Sequence, residues 1–404
     1  MDHRLVHAIQ EALGWSGPQP LGAEFGFGRM PDPGLCGLLL TPATLLDIVL
    51  RRSLAYPQLR CLQHGHDLHP RDYLTTTRTG RGQSIQVANM RQLGQFLEEG
   101  CTLVLDDIGP LDATMEVACR ALGWWAGELV RVNTYLTTHD AGGWGLHWDS
   151  HDVLCVQLAG EKSWEVRGPS RPAPMERDAQ PNTEPSTEIA WSGTMRTGDV
   201  MHIPRGWWHQ ATRTGSGAGF SLHATFGITQ RTGADWLAWV ADQARADELF
   251  RRDLDQPSGP GQRSAQEHEL ATAAARLMRS HQSSDYLTAR QHEHADGRHV
   301  RTHGVFGPPE DVVCVTDFPP HLDIHDDTAI VLAAGKKITV PADAVPALRP
   351  LLSGHPASVK DIAAATGIDA AALAEVLINE GLCAELTPDL TEGYADMVTL
   401  DSAS

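Results

Sequence analysis

A succession of short strand-forming runs, separated by glycine-containing turns, dominates the middle of this 404-residue chain. Runs rich in β-branched and aromatic residues at such spacing are typical of antiparallel strands. Strands are predicted at Thr102–Leu105, Leu129–Tyr135, Asp152–Gln157, Ser163–Val166, Val200–Ile203, Trp208–Thr212 and Phe220–Phe226. Turns at Ala141–Gly145, Ala159–Glu161 and Gly215–Gly219 and a long loop at Pro172–Ser186 lie between them. The pattern predicts an antiparallel sandwich or barrel.

Helical patterns flank these strands on both sides. In residues 1 to about 100, which are mixed in character, helices are predicted around Arg4–Leu13, Pro42–Ser53 and Asn89–Glu99. After Gly227 the chain becomes helical, with helices predicted at Ala234–Arg252 and Gln266–His281. The fold class is therefore α+β.

A last unit begins near Gly304 and combines strands with two helices. The strands are predicted at Ala329–Leu332 and Ile338–Val340. One helix begins after Ser358 and ends at Gly367, and the second runs from Asp369 to Gly381, with capping residues at each start. This order is the outline of a winged-helix unit.

The charge of the chain argues against nucleic acid as a partner. It carries 32 Lys and Arg against 51 Asp and Glu, a formal charge of −19. Residues 351–404 hold nine acidic residues and a single base, Lys360, so the second helix of the last unit has no residue suited to phosphate contacts. A basic protein or peptide is the expected partner.

The cysteines and the N-terminus indicate a cytoplasmic protein. Seven cysteines at wide spacings, with no CxxC pair, predict neither a disulfide framework nor a cysteine zinc site. The first residues lack an apolar core of signal-peptide length, and no segment is apolar enough to span a membrane.

Three residues have the chemistry and spacing of a metal site. His147 and Asp149 are two apart, so on a strand both side chains share one face. His209 follows a Pro-Arg-Gly turn in the run GDVMHIPRGWWHQ. Two histidines and one carboxylate make the facial triad of non-haem Fe(II) oxygenases, and the missing thiolate argues against structural zinc.

The chain has 20 histidines, so other ligands have to be weighed. His202 is the rival third ligand, but it lies on the strand before the turn and is expected to be a packed or hydrogen-bonded histidine. His139, His151 and His223 are weaker rivals on the same ground.

Seven motifs in order over about ninety residues then resemble the JmjC/cupin family of 2-oxoglutarate oxygenases, specifically its ribosomal-oxygenase type. The motifs are N-x-Y at Asn133–Tyr135, a glycine-rich approach, H-x-D at His147–Asp149, D-V-x-x-x-Q at Asp152–Gln157, G-x-K-x-W at Gly160–Trp164, G-D-x-x-x-I-P-R-G-x-x-H-Q-A at Gly198–Ala211 and S-x-H-x-T at Ser221–Thr225. The resemblance implies a double-stranded β-helix core, a helical region that dimerises and a C-terminal winged helix.

The resemblance also assigns a cosubstrate site. Lys162, the only lysine in the first 335 residues, has the spacing of the family's 2-oxoglutarate lysine, and an ordinary surface lysine is the alternative. Asn133 and Thr225 are implied to line the cosubstrate site. Tyr135 is implied to lie in the substrate pocket, and Trp148 is assigned there as one of five tryptophans clustered around the ligands, Trp144, Trp148, Trp164, Trp207 and Trp208.

The sequence therefore predicts an Fe(II)- and 2-oxoglutarate-dependent hydroxylase of a protein or peptide side chain, possibly of a basic ribosomal protein. The expected domains are an oxygenase domain at 1–228 with a helical part at about 1–100, a helical, dimerising region at 229–303 and a winged-helix-like domain at 304–404. Two alternatives stay open: an oxygenase that tailors a peptide natural product or small metabolite, and a catalytically inactive metal-binding regulatory cupin.

Overall fold

The computed structural model describes residues 1–398 apart from 176–182, 213–218, 257–258, 296–297, 302–304 and 306. Most of the turn predicted at Gly215–Gly219, part of the loop predicted at Pro172–Ser186, and Gly304, where the last unit was predicted to begin, lie outside the described residues.

The described part of the first 228 residues forms six α-helices and twelve strands. In chain order these are α1 (Arg4–Leu13), β1 (Gly26–Arg29), α2 (Leu35–Leu39), α3 (Pro42–Arg51), β2 (Leu59–Gln63), β3 (His66–Asp67), α4 (Pro70–Tyr73), β4 (Leu74–Arg78), β5 (Ser84–Ala88), α5 (Met90–Glu99), β6 (Thr102–Leu105), α6 (Ala113–Ala126), β7 (Val130–Thr138), β8 (Asp152–Pro169), β9 (Ile189–Arg196), β10 (Asp199–Ile203), β11 (Trp207–Thr212) and β12 (Phe220–Ile228). The three predicted N-terminal helices are confirmed, but five strands lie among them, so this part is less helical than expected.

Two antiparallel sheets share the long strand β8. The first half of β8 pairs with β12 and β10, within the order β1-β10-β8-β12-β7-β6-β2-β3. The second half pairs with β9 and β11. The chain crosses between the sheets at Gly160, whose φ is +65° and where a Cβ would lie 1.9 Å from the Phe220 carbonyl oxygen. Two separate strands, Asp152–Gln157 and Ser163–Val166, were predicted here; they are one bent strand.

Apolar side chains fill the space between and behind the sheets. One cluster joins the large sheet to α1, α2, α3 and α6, and it includes Leu105, Leu154 and Phe226. A smaller cluster between the two sheets includes Val153, Trp164 and Met201. The space between the two sheets is therefore bounded by strands that are held in place by apolar packing.

The rest of the described chain forms eight helices and six strands. They are α7 (Gly233–Gln243), α8 (Glu248–Arg251), α9 (Pro260–Ser280), α10 (Ser283–Glu293), β13 (Asp311–Cys314), β14 (His321–Ile324), β15 (Thr328–Ala333), β16 (Lys336–Pro341), α11 (Val345–Leu351), β17 (Ala357–Ser358), α12 (Val359–Thr366), α13 (Ala370–Asn379), β18 (Cys383–Glu385) and α14 (Pro388–Tyr394). The helix predicted at Ala234–Arg252 is interrupted by a 3₁₀ turn at Ala244–Ala246, and α10 was not predicted.

The C-terminal unit contains two three-stranded sheets, β17-β13-β18 and β14-β15-β16, with α12 and α13 in its core. It packs on the N-terminal half through α6 and α14. Arg120 donates a hydrogen bond to the Tyr394 hydroxyl at 2.8 Å, and Trp124 donates one to the Thr316 carbonyl at 2.9 Å. The α+β class is thus as predicted.

Candidate metal centre and adjoining pocket

Backbone pairing brings the first and last predicted ligands together. His147 and Asp149 lie on the extended segment that leads into β8, and His209 lies on β11. The N–H of His147 donates to the His209 carbonyl at 3.1 Å, and the N–H of His209 donates to the His147 carbonyl at 2.7 Å. This isolated antiparallel bridge sets two imidazoles side by side at one end of the space between the sheets.

The three side chains converge. One ligand atom from each of His147, Asp149 and His209 lies within 4.8 Å of the other two, and in the part of the chain that the structure describes this is the one such group. His209 Nε2 is 3.4 Å from Asp149 Oδ2. The Nδ1 atom of His147 donates to the Gly145 carbonyl at 2.9 Å, and that of His209 donates to the Trp207 carbonyl at 3.1 Å. These bonds fix the tautomer that leaves each Nε2 with a lone pair for a metal.

The protonation states also suit a metal. Burial raises the pKa of Asp149, but the neighbouring imidazoles of His209, His151 and His147 more than offset it and bring that pKa to about 2. Burial, and then the neighbouring His209, lower the pKa of His147 below its usual value. At neutral pH the carboxylate is therefore ionised and the His147 imidazole is neutral, as metal binding requires.

Two other motif residues support the ligands from behind. Asp152 accepts a hydrogen bond from the Arg205 N–H at 3.0 Å, which holds the Pro-Arg-Gly turn that precedes His209. Gly206 in the same turn has φ +83°, and its N–H donates to the Asp149 carbonyl at 2.9 Å. The turn that precedes His209 is thus tied to the segment that carries Asp149.

A pocket extends inward from the three ligands, and Lys162 lies in its wall. Only 1% of Lys162 is exposed, so the surface-lysine alternative is wrong. Its Nζ donates to the Thr137 Oγ1 at 2.8 Å. Lys162 follows the Gly160 bend on β8, and Thr137 lies on β7. Burying a charge costs free energy unless the charge is paired. An anionic ligand bound in this pocket, next to the candidate metal ligands, would therefore stabilise the Lys162 ammonium.

Other walls of the pocket are aromatic and rich in nitrogen. Trp164 is 7% exposed and His223 is 3% exposed. Neither Trp164 Nε1 nor His223 Nδ1 has a hydrogen-bond partner among the described residues. Since buried polar atoms are rarely left unpaired, a water molecule or a ligand in the pocket is needed to supply the partner of these atoms. The pocket residues therefore fit a carboxylate-bearing cosubstrate beside a metal held by two nitrogens and one oxygen.

The structure brings together most of the site residues expected from the resemblance. Tyr135 and Thr225 line the same pocket as Lys162 and the three ligands. Asn133 is not among the described residues of that lining, and its Oδ1 accepts from the Asp107 N–H at 2.9 Å. Trp148 is half-buried and is also outside the lining. Of the tryptophan cluster, Trp144 and Trp164 are the members that line the pocket.

Two polar residues of the pocket lining, Thr102 and His223, were not assigned a cosubstrate or substrate role from the sequence, and neither was Thr137, the hydrogen-bond partner of Lys162. Thr137 continues the alternation that begins with Asn133 and Tyr135 on β7, so the spacing could have indicated it. The rival ligand His202 lies outside the site, as expected. It is fully buried on β10, its Nδ1 donates to the Glu24 carbonyl at 2.6 Å, and its ring meets Trp15 edge-on.

Comparison with protein families assigns the region that contains this site. Residues 116–235 match the family model described as the JmjC domain. The chain contains a JmjC domain. The match spans α6 to the start of α7 and includes all three ligands and Lys162.

Curated relatives are similar to this chain over part of their length. The bifunctional lysine-specific demethylase and histidyl-hydroxylase NO66 of Caenorhabditis elegans is 30% identical over 216 residues, which is 52% of this chain and 26% of that protein. Ribosomal oxygenase 2 of Bos taurus is 34% identical over 134 residues, 31% of this chain and 28% of that protein. The chain thus spans less than a third of the length of these relatives.

Solved structures match over nearly the whole chain. The ribosomal oxygenase YcfD of Escherichia coli aligns with a TM-score of 0.53 at 14% identity, covering 95% of this chain and 99% of that one. The same protein in complex with cobalt and 2-oxoglutarate aligns with a TM-score of 0.51 at 15% identity, over 92% of this chain and 98% of that one. At this identity the likeness establishes the JmjC/cupin-type α+β fold.

Proposed function

We propose that this protein is an Fe(II)- and 2-oxoglutarate-dependent hydroxylase that acts on a side chain of a protein or peptide. His147, Asp149 and His209 would hold the iron, and Lys162 would bind 2-oxoglutarate. When bound, iron and 2-oxoglutarate would react with O2, so that one oxygen atom enters succinate as 2-oxoglutarate loses carbon dioxide and the other hydroxylates a substrate C–H bond.

The burial of Lys162 is the observation that carries the proposal. A lysine that is 1% exposed requires anionic or hydrogen-bonding partners, and burying its charge costs free energy. This side chain lies in the same pocket as the two histidines and the carboxylate that could hold a metal. A dicarboxylate with a 2-oxo acid at one end satisfies both sites at once.

The protein's own residues have three tasks in this reaction. The paired backbones of His147 and His209 hold the metal ligands in place before the metal arrives. Lys162 and its partner Thr137 orient the cosubstrate. Trp164, Val153 and Ala211 shield the pocket from water, as oxygen chemistry at a metal requires.

A basic protein is the substrate class that the charge favours. The chain's formal charge of −19 attracts cationic partners at long range. Relatives are named ribosomal oxygenase and histidyl-hydroxylase, and ribosomal proteins are generally basic. We infer that a ribosomal protein of the same cell is the substrate and that the reaction takes place in the cytoplasm, where the seven free cysteines would stay reduced.

The test is a pull-down of partners with the full-length protein, followed by incubation with Fe(II), 2-oxoglutarate and oxygen and by mass spectrometry. The expected result is a one-oxygen mass gain on one side chain of a basic protein. The gain should require 2-oxoglutarate and should be absent with the His209→Ala variant. A gain on a small metabolite or a natural-product peptide alone would favour the tailoring oxygenase instead, and no turnover with any of these would favour the inactive cupin.

We further propose that α7 to α10 form a homodimer interface. The structure buries only Val240 and Ala273 of the described side chains in these helices. Leu237, Met278 and Leu287 remain 49%, 38% and 41% exposed. Light scattering should show a dimer of the full-length protein and a monomer of the Leu237→Asp, Leu287→Asp double variant. Leu50→Asp, which changes an equally exposed leucine elsewhere, should remain dimeric; a double variant that stays dimeric would place the interface elsewhere.

We also propose that residues 304–404 form a winged-helix-like unit that contacts protein. The support is the combination of α12 and α13 with the sheet β17-β13-β18. The described part of α13 carries Glu375 and no basic residue, so it lacks phosphate contacts.

A further inference from the structure

The pocket lining contains a second buried side chain with nitrogen atoms, His223, in addition to Lys162. His223 is 3% exposed, lines the pocket, and has its Nδ1 buried without a hydrogen-bond partner among the described residues. Leaving such an atom unpaired costs more than an ordinary hydrogen bond gains. A water molecule or a ligand group is therefore needed at this position.

The strand register places His223 beside the lysine site. On the inner face of β7 and β12, Thr137 stands opposite Ser221, and the next pair on that face is Tyr135 with His223. Pairs on one face are about 7 Å apart along a strand. Because Lys162 Nζ is bonded to Thr137, its ammonium and the His223 ring occupy neighbouring positions on one wall.

Aromatic packing fixes the ring of His223. Its plane lies parallel to the Tyr135 ring, at 9° and a centroid distance of 4.7 Å. The Trp164 ring meets it edge-on at 5.3 Å, and Trp164 Nε1, which can only donate, is itself without a partner. The ring is thus held in place by stacking, while the hydrogen-bonding capacity of this wall is left for a ligand.

We propose that His223 is a second binding residue for the distal carboxylate of 2-oxoglutarate, to which it donates a hydrogen bond beside Lys162. This inference rests on the proposed function. Lys162 would supply a charged hydrogen-bond donor and His223 a neutral one. Together they would favour a ligand whose second carboxylate reaches this wall of the pocket.

The electrostatic setting agrees with a neutral donor. Burial, and then the charge of Lys162, lower the pKa of His223 well below its usual value. At neutral pH the imidazole therefore carries one N–H, and either tautomer can present it to an acceptor. The wall then supplies one charge and one neutral donor to a single carboxylate, without the repulsion of two adjacent cations.

Binding to the Mn(II)-loaded full-length protein tests this directly by calorimetry. Two ligands are compared: 2-oxoglutarate, and oxalate, which binds the metal but has no distal carboxylate. His223→Leu should weaken 2-oxoglutarate binding roughly 10- to 100-fold, as expected for a lost hydrogen bond to a charged group, and leave oxalate binding unchanged. His223→Gln should recover part of the loss. His202→Gln, a buried histidine outside the pocket, should change neither affinity.

Two results would overturn the inference while leaving the proposed function intact: an unchanged 2-oxoglutarate affinity in His223→Leu, or an equal loss for both ligands. A wild-type protein that binds oxalate but not 2-oxoglutarate would overturn both. A crystal structure of the wild type with Mn(II) and 2-oxoglutarate decides the matter without any variant. A His223 nitrogen within about 3.2 Å of the distal carboxylate is expected, and one beyond hydrogen-bond distance contradicts the inference.

Discussion

His147 and His209 are joined by two backbone hydrogen bonds, in which the N–H of each donates to the carbonyl of the other. The two residues are 62 positions apart in the sequence, and their imidazole centroids are 4.4 Å apart. Backbone pairing between the two segments therefore sets these side chains next to each other. Orienting the ligands in this way favours metal binding.

The first prediction separates His209 from its rival. His209→Ala should lower the affinity for Mn(II) or Fe(II) by more than about 100-fold, because loss of an outer-shell partner alone commonly costs 10- to 100-fold. His202→Ala should keep its metal, since His202 lies on β10 and is bonded to the Glu24 carbonyl in the segment before β1. Metal content of the dialysed proteins measures both. A metal-free His202→Ala beside a metal-loaded His209→Ala would exchange their roles.

The second prediction concerns the bend that carries Lys162 into the pocket. A Cβ at Gly160 would lie 1.9 Å from the Phe220 carbonyl oxygen, and the residue has φ +65°. Gly160→Ala should therefore destabilise the fold by at least about 3 kcal/mol or prevent folding, which chemical denaturation measures. Gly94→Ala, in helix α5 with open space around its Cα, should be neutral or stabilising by about 0.5–1 kcal/mol. Equal stability of the two variants would show that β8 does not need the bend.

The third prediction is a pH dependence at Glu116 on α6, whose carboxylate contacts His299 and Arg120. Burial of Glu116 acts to raise its pKa, but the hydrogen bond from His299 and the charge of Arg120 outweigh it and lower that pKa to about 2. A lowered pKa in the folded state adds stability above about pH 4.5, the usual value of the group, and this stability is lost as the pH falls towards 2.

Glu116→Gln should therefore be less stable than the wild type at pH 7, by at most about 3 kcal/mol. The difference in melting temperature should shrink as the pH is lowered from 5 to 3, as calorimetry can measure. Glu248→Gln, on an exposed ion pair with Arg252, should change little at any of these pH values. A difference for Glu116→Gln that is constant over this range would mean that the carboxylate is not stabilised by these neighbours.

The sequence predicted the metal ligands because their information is local. His147 and Asp149 are two residues apart, and His209 follows a tight turn, so spacing and turn chemistry indicate both parts of the group. The seven consecutive motifs added Lys162, which spacing alone could not distinguish from a surface lysine. Only its burial by β7, more than twenty residues earlier in the chain, makes that distinction.

Features that depend on pairing between distant strands could not be predicted. Strand β1 is four residues long, and its sequence GFGR has no clear alternation, yet it completes a sheet edge by pairing with β10 some 170 residues later. A glycine such as Gly160 is typical of a left-handed backbone position, which occurs both in turns and in bends within a strand. The sequence therefore predicted a turn between two strands where the structure has the single bent strand β8. From the sequence, His223 was considered only as a weak alternative metal ligand. Its position beside Lys162 depends on the register between β7 and β12, which the sequence did not predict.

The most direct test of the account measures 2-oxoglutarate binding to the Mn(II)-loaded wild type and to Lys162→Ala by calorimetry. Removing one partner of a buried charge pair commonly costs about 2–5 kcal/mol, which is roughly a thirtyfold to several-thousandfold loss of affinity. The account predicts a loss of this size in Lys162→Ala with unchanged Mn(II) content, and partial recovery in Lys162→Arg, whose guanidinium is larger and planar. Equal affinity of the wild type and Lys162→Ala for 2-oxoglutarate would contradict it.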